Sequence, residues 1–275
     1  MNASINPNVS GANINTGNIY LANVGANASH GFAGPVFPDG RFEFLPIPET
    51  PPDLPGPFAV RYSHLRSFYE PAQTLAPYFP ARMSDVATHN DPEFETFTYG
   101  DNCEANARAA GLKSAGPGDN LFFLVRLAEW DEGGPTGQHG FYLVGTLRIA
   151  AVLKGVRSRP PDGIVRAFGN NAHLRRGFTD PDLWDGFWVF KGGDGSRRFP
   201  RAVPVDRALC DRVFRKANGD PWAWASDRSD LQVIGSYTRA CRRAIDPSTL
   251  DGADRAQVLW EHVAKHSGPE TLRDD

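Results

Sequence analysis

The chain has 275 residues, of which 40% are hydrophobic and 22% charged, and its net charge is −3. This composition is typical of a globular protein, and it excludes a broadly basic surface that would attract nucleic acid everywhere. No apolar run approaches the roughly 20 residues that span a membrane, and the N-terminus lacks the basic and apolar regions of a secretory signal, so we expect a cytoplasmic protein without membrane contact.

The first third of the chain predicts strands between proline-rich loops. Residues 1–16 are polar and Asn-rich, and we expect a disordered tail there. The apolar run 18–25 predicts a first buried strand. Asp39-Gly40 predicts a hairpin turn between the apolar runs "PVF" and "FEFLPI". The proline-rich stretch 49–57 predicts an extended surface loop. Residues 61–79 contain short apolar pieces between breakers, which predicts irregular chain packed over the core and no long helix or strand.

The middle of the chain contains the strongest strand signals. Residues 101–115 are Ala-rich behind Asp101 and Asn102, which predicts a capped helix. Residues 116–130 and 141–153 predict two long antiparallel strands joined by the loop "DEGGPTGQHG". Residues 155–186 are interpreted as loops.

The last third predicts two strands and then helices. Residues 187–205 predict a strand, a Gly-rich turn and a return strand, and helices are predicted at 206–217, 229–245 and 248–266. We expect an α+β fold with an antiparallel-rich central sheet and flanking helices, because a doubly wound parallel sheet would need regular alternation of strands and helices. The predicted units are one domain at 17–246 and a C-terminal helix and tail at 247–275 packed on it.

The segment "THNDPE" (88–93) is the first candidate site. His89 and Asp91 would share one face of an extended chain, which suits a metal site or a histidine oriented by a carboxylate. Asp-Pro-Glu is also an ordinary helix start, with Asp91 as N-cap and Pro92 at the first position. Taken alone, the segment favours the cap.

Other polar groups lie in predicted loops. His30 and Asn27 follow the first strand, where they serve either a site or a local turn. Paired arginines with asparagine and phenylalanine nearby suit phosphate and base recognition, or else a solvated surface. No dinucleotide-binding or P-loop motif is present. The candidate binding residues of these segments are Asn27, Asn171, Arg175, Arg176, Arg197 and Arg198.

Several of these segments together resemble a known family, the third type of nucleotide-modification-associated domain. The resemblance rests on "FPDG" with "LPIP" (37–48), on "HNDPE", on the strands "GPGDNLFFLVRL" and "GFYLVGTLRIAAVL", on "NNAHLRRG" (170–177) and on "SRRFPRAVPV". It covers about residues 18–205. The two long strands also resemble the core of PUA-like barrels, so we expect a PUA-like central sheet or partial barrel.

The resemblance implies a bacterial or phage-linked domain associated with DNA base modification or its recognition. One hypothesis is an enzyme acting on a nucleotide or DNA base, with His30, Asp39, His89, Asp91 and His173 in one cleft, a divalent metal as candidate cofactor, and enzymes of the same base-modification system as partners. Another is a non-catalytic reader that holds a modified base, and a third is a cytosolic scaffold with no nucleic-acid role. An enzyme requires two or more of the His and Asp groups within about 4 Å of a common point.

Overall fold

A computed structural model describes residues 17–50, 60–215, 220 and 241–269. Eight strands form one mixed sheet in the order β10-β1-β6-β7-β8-β5, with β2 added to β6 and β9 to β7, while β3 and β4 form a separate pair. The strands are β1 Ile19–Val24, β2 Pro35–Val36, β3 Ile47–Pro48, β4 Thr88–His89, β5 Thr98–Asp101, β6 Asn120–Asp131, β7 Gly134–Val156, β8 Phe187–Gly192, β9 Arg197–Pro204 and β10 Cys241–Ile245. The helices are α1 Asp162–Phe168, α2 Ala172–Thr179, α3 Arg207–Val213 and α4 Leu250–His266.

The α+β prediction is confirmed, and most strand pairs are antiparallel. The exceptions are β1 and β2, which both run parallel to β6. In the described part of the chain the sheet does not close into a barrel, because β10 and β5 are its two edges. No helix among the described residues has both the length and the apolar character needed to cross a bilayer.

The long antiparallel pair β6–β7 is the centre of the fold, as predicted. The stretch 131–140 is not a loop, however. The chain turns at Glu132 and Gly133, and Gly134, with φ +112°, already begins β7. The 23-residue β7 pairs with two strands besides β6: β9 pairs with its first half and β8 with its second. The predicted strands β8 and β9 therefore both exist, but each pairs with β7 instead of with the other.

The two faces of the sheet separate by the period-2 alternation of β1 and β6. Leu21 and Phe122 are fully buried on the face covered by α3 and α4, where they pack with Leu209 and Leu259. Burying this continuous apolar layer is the main stabilising contribution on that face. The alternate residues pack on the other face with a second buried cluster: Tyr20, Ala22, Leu121, Phe123, Tyr99 and Leu112.

The predicted helix at 101–115 is wrong. Asp101 ends β5, and only residues 110–114 form a 3₁₀ turn. Side chains compete with the helical hydrogen bonds here: Asn102 accepts from the Ala105 amide and Asn106 accepts from the Arg108 amide. Such Asx turns stabilise a non-helical backbone in spite of the alanine content.

Two further predictions need correction. Residues 155–186 are not all loop, because they include α1 and α2, each only about two turns long. Residues 241–245 are not helical but form the edge strand β10, antiparallel to β1. The helices α3 and α4 confirm the predictions at 206–217 and 248–266, with Asp206 and Thr249 as N-caps. The predicted tail 1–16, most of the loop 49–57 and the segment 229–240 lie outside the described residues.

Candidate functional site

The short pair of β3 and β4 brings together two side chains that are far apart in sequence. Ile47 is in register with His89, and the amide of Glu49 donates to the Ala87 carbonyl at 2.9 Å. As a result Glu49 Oε2 lies 2.8 Å from His89 Nδ1, with both side chains buried. This contact orients the imidazole and places its proton on Nδ1, so that Nε2 is left with a lone pair.

Asp91 lies two residues further on, and its side chain is 2% exposed. Its Oδ2 accepts the Gly100 amide at 2.7 Å, and Oδ1 lies 3.4 Å from Asn171 Nδ2. No helix follows Pro92. The interpretation of Asp91 as a helix N-cap is therefore wrong: its carboxylate is bound by backbone and amide donors of other elements.

His173 enters the cluster from the first turn of α2. Asn171 is the N-cap of this helix, and its Oδ1 accepts the His173 amide at 3.0 Å. The amide group of the same side chain faces Asp91, so that one residue fixes both the helix start and the carboxylate. Asn171 is fully buried, as a residue that bridges two elements of a site should be.

The three side chains meet at one point. His89 Nε2 is 3.8 Å and His173 Nε2 is 3.6 Å from Asp91 Oδ2, and the two imidazole rings lie edge to face with their centroids 4.7 Å apart. The ligand-type atoms of His89, Asp91 and His173 all lie within 4.8 Å of one another, close enough to hold a metal ion. The geometry meets the distance condition set above for an enzyme.

Burial controls the protonation of the cluster. It raises the pKa of Asp91 well above the usual range, even though Gly100 donates a hydrogen bond to the carboxylate. Burial, and to a smaller extent the nearby His89 and Arg176, hold the pKa of His173 well below its ordinary value. Burial also opposes ionisation of Glu49, but its contact with His89, together with the Thr50 amide and Arg176, outweighs burial and lowers the pKa of this carboxyl. His173 is therefore a neutral imidazole at pH 7.

Gly100 is required for the close approach of these groups. A Cβ at this position would lie 2.4 Å from His173 Cδ2, 2.9 Å from Asn171 Oδ1 and 3.2 Å from Asp91 Oδ2. The first distance is a clash between side-chain and ring carbon that neither buried group can avoid. Any larger residue would push His173 away from Asp91.

A cavity of about 200 Å³ opens at the cluster. Besides Asp91 and Glu49, the carboxyl group of Asp101 faces the cavity. It accepts hydrogen bonds from Asn106 and from the hydroxyl of Tyr99, both at 3.2 Å. Burial raises the pKa of Asp101 in spite of these donors. The remaining polar lining consists of Asn23, Thr50, Glu49 and Arg176.

Sequence reasoning missed Glu49, Gly100 and Asp101. Glu49 directly follows "LPIP", and that position was the only available signal for it. Asp101 was assigned to a helix cap, and its true position at the end of β5 depends on the pairing of β5 with β8. No local pattern in the sequence encodes that pairing.

The predicted arginines are divided between two places. Arg176 lines the cavity, where it lies 3.8 Å from Glu49 and 3.2 Å from Asp185. The other three, Arg175, Arg197 and Arg198, line a separate groove of about 890 Å³. Arg198 lies over the ring of Phe68 at 3.6 Å and donates to the Phe42 carbonyl. Asn90 and Asn170 also line the groove, so the segments that carry the cluster contribute to both.

His30 and Asp39 lie apart from the cluster. His30 ends a 3₁₀ turn, where its Nδ1 accepts the Asn27 amide at 3.2 Å, and Asn27 Oδ1 accepts the hydroxyl of Ser29 at 2.8 Å. Asp39 forms an exposed pair with Arg41 at 2.6 Å in the hairpin turn, beside a different cavity. The structure thus brings together three of the five predicted reactive groups, namely His89, Asp91 and His173.

The comparisons with known proteins agree with the resemblance noted in the sequence. No curated protein and no solved structure matches the chain. The family model described as nucleotide modification associated domain 3 matches residues 18–227. This range includes the cluster, the cavity and the groove, and it covers well over half of the chain. The protein belongs to the nucleotide modification associated domain 3 family.

Proposed function

We propose that the protein is an enzyme that acts on a nucleotide or on a base of DNA bound in the cavity at His89, Asp91 and His173. The family supports the substrate class, since it is associated with nucleotide modification. The observation that carries the catalytic part is the convergence of both Nε2 atoms on Asp91 Oδ2, at 3.8 Å and 3.6 Å.

This convergence has a cost that favours a functional role. Two imidazoles and a carboxylate are buried together, and the distances between them are too long for direct hydrogen bonds. A buried polar group without a hydrogen-bond partner costs roughly 1–3 kcal/mol. In the described part of the chain Nδ1 of His173 is such a group, whereas His89 and Asp91 are hydrogen-bonded to Glu49, Gly100 and Asn171. Ionisable groups gathered in this way beside an open cavity are typical of active sites.

Asp101 is the group best placed for proton transfer. It faces the cavity from β5 and is partly exposed, whereas Asp91 is enclosed by its donors. The raised pKa of Asp101 brings its protonation equilibrium closer to neutral pH, where a carboxyl group can both accept and donate a proton. In this arrangement the cluster holds and polarises the reacting group, and Asp101 exchanges the proton.

The groove supplies features that suit a polynucleotide. Arg175 and Arg197 can contact phosphates, and four phenylalanine rings offer stacking surfaces for bases. Stacking is worth about 1–3 kcal/mol for each base. Arginine and aromatic residues line this groove together: Arg66, Arg175, Arg197, Arg198, Phe44, Phe68, Phe94 and Phe97.

The same groove favours a second candidate, a reader that binds a modified base without turnover. Phenylalanine rings are the main recognition surface of the groove, whereas among the described residues Tyr99 is the single Phe, Tyr or Trp side chain that lines the cavity. In a reader, the loss of His89 would change affinity and not product. In an enzyme, it would remove product and leave the affinity for DNA nearly unchanged.

Mass spectrometry of nucleosides distinguishes the two. DNA from cells that express the wild-type chain, His89→Gln or His139→Gln is digested and its nucleosides are quantified; His139 is an exposed control in β7. We expect a nucleoside change with the wild type and with His139→Gln, and a loss of about 10²-fold or more with His89→Gln. Equal nucleoside profiles for all three, together with DNA binding, would contradict an enzyme and support the reader.

A further inference from the structure

We propose that His89 Nε2, Asp91 Oδ2 and His173 Nε2 bind one divalent transition-metal ion, with Zn²⁺ as the probe that tests it. The proposal deepens the function given above, because the ion would occupy the same centre. Its role in turnover rests on that function, but binding itself does not.

The distances favour a shared ion over direct hydrogen bonds. Zinc bonds of about 2.0–2.2 Å set two ligand atoms of a tetrahedron about 3.3–3.6 Å apart. The two Nε2–Oδ2 distances, 3.6 Å and 3.8 Å, are within a few tenths of an ångström of this range. A hydrogen bond would require about 3.2 Å or less.

The charges also favour a cation at this point. Asp91 has a side chain that is 2% exposed, and in the described part of the chain no arginine or lysine forms an ion pair with it. Its Oδ2 accepts the neutral Gly100 amide, and the other polar atoms near this oxygen are the two histidine Nε2 nitrogens. A buried carboxylate is normally paired with a cation or bound to a metal, and an ion between Asp91, His89 and His173 would complete the pairing.

Glu49, Gly100 and Asn171 form hydrogen bonds to the proposed ligand residues, as the residues behind the ligands of a metal site do. Glu49 contacts Nδ1 of His89 at 2.8 Å, which directs Nε2 to the ion in the carboxylate–histidine–metal arrangement. Gly100 and Asn171 donate to Asp91, and Asn171 also caps the helix that presents His173. The positions of the three ligands are therefore fixed by β4, β5 and α2 and by Glu49 at the end of β3 before any ion binds.

Two imidazoles and one carboxylate select the class of ion. Imidazole nitrogens disfavour Mg²⁺ and Ca²⁺, which prefer oxygen ligands, and suit Zn²⁺, Fe²⁺, Ni²⁺ or Cu²⁺. With three protein ligands and a cavity of about 200 Å³ beside them, a further position stays open for water or substrate. This is the arrangement of catalytic and not of structural zinc sites.

The test is a Zn²⁺ titration of the full-length chain after removal of metal with EDTA, followed by calorimetry and by mass spectrometry of bound metal. We expect one equivalent of tightly bound Zn²⁺ in the wild type. Asp91→Asn and His173→Gln should each weaken binding by more than about 100-fold, since even loss of a supporting residue costs about 10–100-fold. Circular dichroism of the metal-free variants checks that they fold.

The control addresses the other histidine pair. His262 and His266 are one turn apart on α4, with ring centroids separated by 4.5 Å, and such a pair can bind Zn²⁺ by itself. The double variant His262→Gln/His266→Gln should bind as the wild type does.

Absence of Zn²⁺ binding by the wild type, retention of full affinity in both Asp91→Asn and His173→Gln, or loss of binding in the α4 double variant would overturn the proposal. If Asp91→Asn does not fold, His173→Gln decides, together with Glu49→Gln, which keeps all three ligands. No nucleotide enters this titration. A chain that changes nucleosides but binds no metal would therefore refute the ion and not the function, and the opposite result would refute the function and not the ion.

Discussion

Glu49 Oε2 lies 2.8 Å from Nδ1 of His89, across the two-residue strand pair of β3 and β4. Their side chains are 5% and 11% exposed, respectively, so that water competes little for this contact. The bond determines which nitrogen of His89 carries the proton and turns the other towards Asp91 and the cavity. Glu49 thus acts on the site through His89, and it is a positioning residue.

Glu49→Gln should weaken the centre without removing it. The amide keeps the size of the side chain but loses the charge, so it holds His89 less firmly and makes the imidazole a poorer base. We expect Zn²⁺ affinity and turnover to fall about 10–100-fold, as for other supporting residues of histidine ligands. Glu132→Gln, at the exposed turn before β7, is the control and should change neither. Unchanged Zn²⁺ affinity in Glu49→Gln would contradict this role.

Gly100→Ala should disrupt both stability and the site. The new methyl group would lie 2.4 Å from His173 Cδ2, so α2 and its histidine must move. Overpacking of this kind costs about 1–3 kcal/mol in the free energy of unfolding, measurable by urea denaturation. Gly116→Ala is the matched control, because a Cβ there meets no atom within 4 Å. Equal effects of the two substitutions would show that Gly100 is not a packing constraint.

The cysteines should be unreactive in the native protein. Burial raises the pKa of Cys103 and of Cys210 to about 12, and it also raises that of Cys241. At pH 8 each of the three thiols is therefore almost entirely protonated, whereas only the thiolate reacts with iodoacetamide. We expect no labelling of the folded chain and three labels after denaturation in guanidinium, as read by intact mass. Rapid labelling of the native protein would contradict their burial.

Arg197→Ala should weaken the binding of single-stranded DNA if the groove contacts phosphates. The expected signs are lower affinity for every sequence and a decrease of about one in the slope of log affinity against log salt. Arg157→Ala removes the same charge at an exposed pair with Glu104, outside the groove, and should leave both quantities unchanged. A flat salt response of the wild type would remove phosphate contacts from the account.

Much of the sheet could be predicted because its signals are local. The strand patterns of β6 and β7, the Asp39-Gly40 turn and the helical patterns of α3 and α4 each depend on neighbouring residues. The wrong predictions share one cause, namely contacts that a short-range pattern does not contain. Residues 101–115 have the composition of a helix, but Asn102 and Asn106 accept hydrogen bonds from backbone amides two or three residues later. The start of β10 also packs against the 3₁₀ turn 110–114, where Gly111 lies close to the Cys241 carbonyl.

The candidate site could be predicted only in part for the same reason. His89 and Asp91 are two residues apart, so their proximity follows from the chain itself. Glu49, Gly100 and His173 reach them through the pairing of β3 with β4, the pairing of β5 with β8 and the cap of α2. His30 and Asp39 belonged to the same motif set, but each is bound within its own turn. Tertiary pairing decides which of these groups meet, and short-range patterns do not encode it.

Anomalous X-ray diffraction from crystals grown with Zn²⁺ tests the central claim most directly, namely that His89, Asp91 and His173 form one reactive centre. Data above and below the zinc edge locate the ion without any assumption about its ligands. We expect one strong peak about 2.0–2.2 Å from His89 Nε2, Asp91 Oδ2 and His173 Nε2, on the side of the cavity that Asp101 faces. A peak between His262 and His266 alone, or imidazoles of His89 and His173 turned away from Asp91, would contradict it.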